Sequence, residues 1–339
     1  MFIENGKIRV VKHYQKLLIC IFITIIYYHQ LLFNNNNGYD LIIPSSYSEI
    51  KVFLRHMKYY KRFLNYSNIV LIGPSSITGV LFNDTSISII NEDSLVKKQK
   101  INEFLWKKRA VKTWRDSWYE QQFLKMAYSR ICQKEYYLVW DTDTIPIKPI
   151  KNFEKDHPIF DLKTEHNIPY FNTMERLIPG LKFINKSYIS EHMMIKTEIM
   201  RNLLDSIEMN DKLSGNFFWE KILMAIDIKD LNKSGFSEYE TYGTYAHTKN
   251  PNFYYHRNWF SQREAKTFFG STENLSEDDI NWLSQYYHAL SFEKRSVFNE
   301  KNLEIVKDRK LQQLYKPNFF FEKYYLLAKL KQSNKTKSN

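Results

Sequence analysis

The sequence predicts an α/β protein, a sheet of buried strands flanked by helices, and three observations carry that expectation. An apolar run, a helix-periodic run and a second apolar run follow one another between residues 39 and 73, the order of a βαβ unit. A further run at 136–140 (YYLVW) is apolar without interruption, as strands covered on both faces are. Hydrophobic residues make up 43% and charged residues 25% of 339, enough to bury the core of one large domain with appendages.

Taken in order, residues 1–16 form a basic tail with Lys7, Arg9, Lys12 and Lys16 against Glu4. Residues 17–33 (LLICIFITIIYYHQLLF) lack Asp, Glu, Lys and Arg. A helix of this length reaches roughly 25 Å, short for a plasma membrane and adequate for a thinner secretory bilayer. No small-residue cleavage site follows, since the first alanine is Ala110, so an uncleaved signal anchor is expected. The basic flank then places everything after a short linker at 34–38 on the non-cytoplasmic side. That is a type II, single-pass arrangement, lumenal in the ER or Golgi of a eukaryote.

Residues 39–44 (YDLIIP) read as a first strand. Ser46 and Glu49 have the spacing of a capping box, and Ile50, Phe53, Leu54, Met57, Phe63 and Leu64 follow at helical period. Residues 68–73 (NIVLIG) form a second strand, stopped by Pro74. After a less regular stretch, Ser117 and Glu120 predict another capped helix. Tyr119, Phe123, Ala127 and Ile131 point inward from it, and Trp118, Gln122 and Lys125 lie on a different face. The run at 136–140 is expected as a central parallel strand, and Pro146 and Pro149 keep the next segment extended. Residues 187–196 read as a strand, 198–208 and 216–227 as helices, and 253–256 (FYYH) as a late strand. These elements make a domain of 39–265, succeeded by a polar helical extension at 266–330 and a disordered tail at 331–339.

Several function classes are excluded. Nine glycines, none arranged as GxGxxG or GxxxxGK[ST], leave no dinucleotide loop or P-loop. Cys20 and Cys132 are the only cysteines, too few for a disulfide framework or a cysteine zinc site. The net charge of +12 sits at the ends: +3 in residues 1–38, +7 in 301–339 and +2 between. A near-neutral body is a poor phosphate-backbone binder, so no nucleic-acid partner is expected.

Chemistry concentrates at the end of the run at 136–140, which stops on Asp141-Thr142-Asp143. Two carboxylates one residue apart, at the carboxyl end of a buried strand, project into the crevice where α/β sheets bind ligands. They can grip one hard divalent cation and leave positions open for diphosphate oxygens.

In this context the sequence resembles the GT-A-fold nucleotide-sugar glycosyltransferases, and more narrowly a branch of transferases with the same ordered blocks. The blocks are YDLIIPSSYSE, WYEQQFLKM, YYLVWDTDTIPI, ISEHMMIKTEIM and FSEYETYGTY followed by NWFSQR, covering about two thirds of the chain. The resemblance implies a Rossmann-like mixed sheet and Mn2+ or Mg2+ held by Asp141 and Asp143, with a late histidine added. Of His247 and His256, the latter is preferred because FYYHRNW alternates like a strand. It further implies a nucleotide-sugar donor flanked by Pro44, Ser45 and Tyr47, with Gln122, Lys125 and Thr142 nearby. Glu191, His192 and Glu240 would contact acceptor or donor sugar, the acceptor being a glycan or glycoconjugate. For an inverting transfer Glu238 would be the general base, because Ser237 and Glu240 have capping-box spacing and Glu240 is thereby occupied. Two alternatives remain open. YYLVWDTDTI also resembles the haloacid-dehalogenase phosphatases, with Asp141 as nucleophile and Asp143 as acid/base. Against that, Ile145 replaces Thr or Val, and a βαβ unit precedes a motif that normally opens that fold. The other alternative is a membrane-tethered sugar-binding protein without catalysis.

Overall fold

The computed structural model describes residues 38–79 and 87–324. The anchor expected at 17–33, the linker through residue 37 and the tail at 331–339 lie outside the described residues. Among those described, no helix is long and apolar enough to cross a membrane.

The strands are β1 (Asp40–Pro44), β2 (Asn68–Gly73), β3 (Ile87–Asn91), β4 (Tyr136–Trp140), β5 (Thr144–Pro146), β6 (Phe153–Glu154), β7 (His157–Leu162), β8 (His192–Lys196), β9 (Tyr255–Asn258), β10 (Ser261–Gln262) and β11 (Ala289–Ser291). The helices that bear on the site are α1 (Ile50–Phe63), α2 (Lys98–Arg109), α3 (Asp116–Ala127), α4 (Ile168–Leu177), α5 (Thr197–Glu208), α6 (Phe218–Ala225) and α7 (Glu238–Lys249). The central sheet runs β3-β2-β1-β4-β8. Its first four strands are parallel, and β8 lies antiparallel beside β4. The fold is therefore α/β with a mixed sheet flanked by helices. Two small sheets, β10-β11-β5 and β6-β7-β9, are attached.

The apolar runs exist because both faces of the sheet are covered. In β1, Ile42 joins the cluster under α3, α5, α6 and α7, while Leu41 and Ile43 join the one under α1. In β4, Tyr137 and Val139 face the first cluster, and Tyr136, Leu138 and Trp140 the second. With alternate residues buried on opposite sides, such a strand has no position at which a polar side chain can reach water. Ser46 and Glu49 do close a capping box, Glu49 Oε2 accepting the Ser46 N–H at 2.9 Å, ahead of α1.

Several expectations shift. The strand expected at 187–196 begins only at His192, where pairing with β4 starts. The late strand moves to Tyr255–Asn258 because it pairs with β7, which the sequence pattern did not announce. The helix expected at 216–227 is confined to Phe218–Ala225. The helix expected to open at Ser117 starts at Asp116, whose Oδ1 accepts the Ser117 N–H at 2.9 Å. Arg115 stands at its N-cap with the guanidinium 3.9 Å above the Trp118 ring, and the Glu120 side chain is buried rather than capping. Ile131, beyond the end of that helix, is 43% exposed and not part of the core.

Two features set the site's dimensions. Helix α7 lies so close to the preceding segment that a Cβ at Gly243 would sit 2.3 Å from Tyr188 Cγ, a contact only glycine permits. The segment after residue 265 is bound to the motif itself: Leu290 of β11 pairs with Ile145 of β5, and the Phe292 N–H donates to the Asp143 carbonyl at 2.7 Å.

Candidate active site

The turn after β4 is held by its backbone, which leaves the Asp141 carboxylate to the crevice. The Asp141 N–H donates to the Glu191 carbonyl at 2.9 Å and the Thr144 N–H to the Asp141 carbonyl at 3.0 Å. Buried Thr142 donates from Oγ1 to the Pro44 carbonyl at 2.8 Å and lies 2.6 Å from Ser45 Oγ. Its own carbonyl faces His56 Nδ1 at 2.9 Å and accepts from Tyr60 OH at 3.2 Å. Burial pushes His56 down to about 4, so a neutral ring donates through Nδ1.

Lys125 is the hub of the site. Its Nζ lies 2.7 Å from Asp141 Oδ1, 2.7 Å from Glu238 Oε1 and 3.1 Å from Tyr239 OH, which itself donates to Asp141 Oδ1 at 3.2 Å. The side chain is only 3% exposed. Burial opposes the ammonium, but Asp141 and then Glu238 overcome it and hold Lys125 well above its ordinary value. Gln122, nearly one turn earlier on α3, accepts the Glu238 backbone N–H at 3.1 Å. Ser237 caps α7 by accepting the Glu240 N–H at 3.2 Å. Asp143 forms no ion pair among the described residues. Burial, then the charges of Asp141 and Glu293, push it up to about 7.

Three cavities share walls here. The central one, about 160 Å³, is lined by Lys125, Asp141, Glu191, Glu238 and Tyr239. Trp118 and Gln121 also line a cavity of about 560 Å³ at the carboxyl ends of β1 and β2. Glu165 and Arg263 also line a third, of about 660 Å³, walled by Trp259, Phe260, Tyr286 and Phe321.

Of the residues singled out in the sequence, the structure brings together Asp141, Gln122, Lys125 and Glu238 on the central cavity, and Asp143 lies close enough to Asp141 to be raised by its charge. Gln122 and Lys125 are each 3% exposed and belong to no solvated face. Pro44 and Ser45 line the 560 Å³ cavity, whereas Tyr47 is 59% exposed and is not on its wall. Thr142 serves the turn rather than the cavity. Glu191 reaches the central cavity, but its oxygens are held by Lys163, Ser261 and Trp259. His192 is a core residue, with Nε2 2.8 Å from Asp161 Oδ2 and its ring against Trp140 and Trp259. Glu240 does not return to the Ser237 N–H to complete a capping box. It accepts from Ser187 Oγ and the Tyr188 N–H, each at 3.2 Å, on the far side of α7.

His256 does not reach the carboxylates. Register places Arg257 beside Asp161, where it forms two hydrogen bonds at 2.6 and 2.7 Å. Alternation therefore turns His256 the other way, onto Phe160, Tyr188 and His247. Among the described residues no three His, Cys, Asp or Glu side chains form a metal-holding group. Sequence reasoning missed Tyr239, adjacent to Glu238 in the block that drew attention, and Glu293, which arrives 150 residues after Asp143 without a local signal.

Fold and site define an α/β protein with a mixed sheet and an acidic crevice at the carboxyl end of its central strand. Within that class, the chain belongs to a family of unknown function, DUF6492, matched over residues 75–306. No curated protein matches the sequence. Among solved structures, the galactosyltransferase LgtC in complex with donor and acceptor sugar analogs is similar, with a TM-score of 0.41 and 9% identity over 75% of this chain and 86% of that one. The glycosyltransferase GlyE of Streptococcus pneumoniae TIGR4 gives 0.38 and 11% over 86% and 64%.

The raised Asp143 value has a consequence for stability. Between about pH 4 and 7 the native carboxyl keeps a proton that the unfolded chain has lost, so stability falls as pH rises through that window. Asp143→Asn, neutral throughout, should flatten the dependence and be more stable than wild type at pH 8 by about 1–3 kcal/mol. Urea unfolding at pH 5 and 8 measures this, and a variant less stable than wild type at pH 8 would contradict it.

Proposed function

We propose that the chain is a metal-dependent, nucleotide-sugar glycosyltransferase of the GT-A type. The observation that carries this reading is a pair of carboxylates, Asp141 and Glu238, on one buried ammonium at the carboxyl end of β4, with a third carboxyl, Asp143, close enough to Asp141 to be raised by its charge. Asp143, without a counter-ion among the described residues and pushed up to about 7, is the kind of group a hard divalent cation neutralises. Asp141 and Asp143 would hold Mn2+ or Mg2+, hard cations that take carboxylate oxygens. When bound, the cation would offset charge developing on the departing nucleoside diphosphate.

The donor nucleotide belongs in the 560 Å³ cavity, its diphosphate toward Asp141 and Asp143. The acceptor belongs in the 660 Å³ cavity, whose aromatic walls suit the apolar faces of sugar rings. Glu238, between the two, takes the proton from the acceptor hydroxyl as that oxygen bonds to the sugar's anomeric carbon and the bond to the diphosphate breaks. The outcome is inversion. Lys125 holds Glu238 and Asp141 in one arrangement. The basic flank ahead of the charge-free apolar run at 17–33 supports a body on the non-cytoplasmic side of a membrane, tethered through that run.

Three measurements test this. Calorimetry with nucleoside diphosphates should show binding that requires the divalent cation and weakens at least tenfold in Asp143→Asn, the loss of one carboxylate ligand. Equal affinity in both proteins would sink the metal assignment. Glu238→Gln keeps an acceptor for Lys125 but cannot take a proton, so kcat should fall about 10²–10⁴-fold at nearly unchanged donor affinity. Transfer at the wild-type rate would leave the base unassigned and the inverting course unsupported. Carbonate extraction of the full-length chain should leave it in the membrane pellet, and release with an intact N-terminus would refute the anchor.

A further inference from the structure

One buried acid in the cavity at the carboxyl ends of β1 and β2 has no employment in that transfer. Glu120 is 5% exposed, and its Oε1 has no hydrogen-bond partner among the described residues. It lines the 560 Å³ cavity with Pro44, Ser45, Lys98, Trp118 and Leu124. Enclosed polar atoms are nearly always paired, so an unpaired one on a cavity wall marks a contact that something else completes. The Trp118 indole, braced by Arg115 at 3.9 Å, supplies a flat apolar surface beside it. That combination of a planar wall and an in-plane hydrogen-bonding group is what an aromatic heterocycle requires.

Resting on the nucleotide-sugar reading, we propose that Glu120 is the residue that reads the base of the donor nucleotide, with the ring against Trp118 and its hydrogen-bonding edge at the carboxyl. The proposal predicts a particular protonation state. Glu120 faces Glu92 and Asp93 from the turn after β3, Lys98 from α2 and Asp116 from its own helix, and Glu49 and Lys294 also line the cavity. Burial, then the charge of Glu92, push Glu120 up to about 8. At neutral pH it is the acid, offering one O–H donor and one C=O acceptor. Such a pair matches a base edge that carries an acceptor next to an N–H. The carboxylate offers acceptors only, so base affinity should fall as pH rises through about 8. Glutamine at this position keeps a donor and an acceptor at every pH.

The test is calorimetry of the full chain in Mg2+ with UDP, CDP, GDP, ADP and inorganic pyrophosphate at pH 7 and 9. For the best-bound nucleoside diphosphate, wild-type affinity should fall about tenfold between the two pH values, beyond any change seen with pyrophosphate. Glu120→Ala should lose about tenfold at pH 7 with pyrophosphate affinity unchanged. Glu120→Gln should bind comparably at both pH values. If Glu120→Ala binds all four nucleoside diphosphates as wild type does, the assignment is overturned while the donor reading stands. Should the alanine variant fail to fold, the glutamine variant decides: loss of affinity at pH 9 matching that of wild type overturns it. If wild type binds neither nucleoside diphosphates nor pyrophosphate, the donor reading fails and this assignment fails with it.

Discussion

Everything at the centre of this protein depends on keeping one lysine charged inside it. Lys125 is almost fully enclosed, and an ammonium taken out of water costs several kcal/mol unless it is paired and hydrogen-bonded. Asp141 and Glu238 supply the pairing and Tyr239 a third contact. The three come from the end of β4 and the first turn of α7, while Lys125 comes from α3. The ion cluster thus ties together the strand that carries the motif and the two helices that wall the crevice. It also fixes their spacing, because an ammonium can touch both carboxylates only when each lies within hydrogen-bond reach.

That cluster is unbalanced, and the imbalance points toward function. One ammonium faces Asp141 and Glu238, and Asp143 stands next to them with Glu293 beyond it. Glu293 is itself paired with Arg263 and Arg295, so it adds little relief. Asp143 accepts one hydrogen bond, from Thr144 Oγ1 at 3.2 Å, and has no ion-pair partner among the described residues; a protein selected only for stability would not keep a carboxyl so placed, since the proton it must hold or the charge it must bear works against the fold. The backbone beneath is arranged to keep it there. Thr142 is pinned on both its hydroxyl and its carbonyl, and the Asp143 carbonyl is held by Phe292, the residue that follows β11. The turn cannot relax to carry its carboxylates out to solvent.

How much of this was legible in the sequence depends on the range of the interactions. Strands β1, β2 and β4 were readable because burial on both faces leaves an uninterrupted apolar run, a purely local signal. The Ser46 to Glu49 box was readable for the same reason. The start of α3 was not. Ser117 and Glu120 have capping spacing, but Arg115 stacking on Trp118 shifts the start by one residue and frees Glu120 for the cavity wall. His256 shows the limit most clearly. Its strand was recognised, yet which face it presents depends on pairing with β7, a strand that the residues HPIFDL do not reveal. One residue of register separates His256 from Arg257, which the sheet turns toward Asp161 instead. Glu240 fails in a related way: its spacing from Ser237 is right, but the close approach of Tyr188 to Gly243 offers its carboxylate backbone and hydroxyl donors elsewhere.

The same distinction separates the two ends of the crevice. The wall nearest β1 and β2 is built from residues 44 to 124 with Lys294 added, mostly a compact stretch of chain. The opposite cavity is walled by residues from 162 to 165, 258 to 263 and 286 to 322, segments distant in sequence that meet through the pairing of β7 with β9 and of β10 with β11. Substitutions at Phe260, Tyr286 or Phe321 reshape that far wall without touching Lys125, Asp141 or the turn that holds them. Contacts so far apart couple weakly. A fold arranged this way can change what it accepts at one end while the charged centre and the other end stay fixed. The segment after residue 265 is therefore an integral wall of the crevice, bonded to the Asp143 carbonyl on one side and open to the larger cavity on the other.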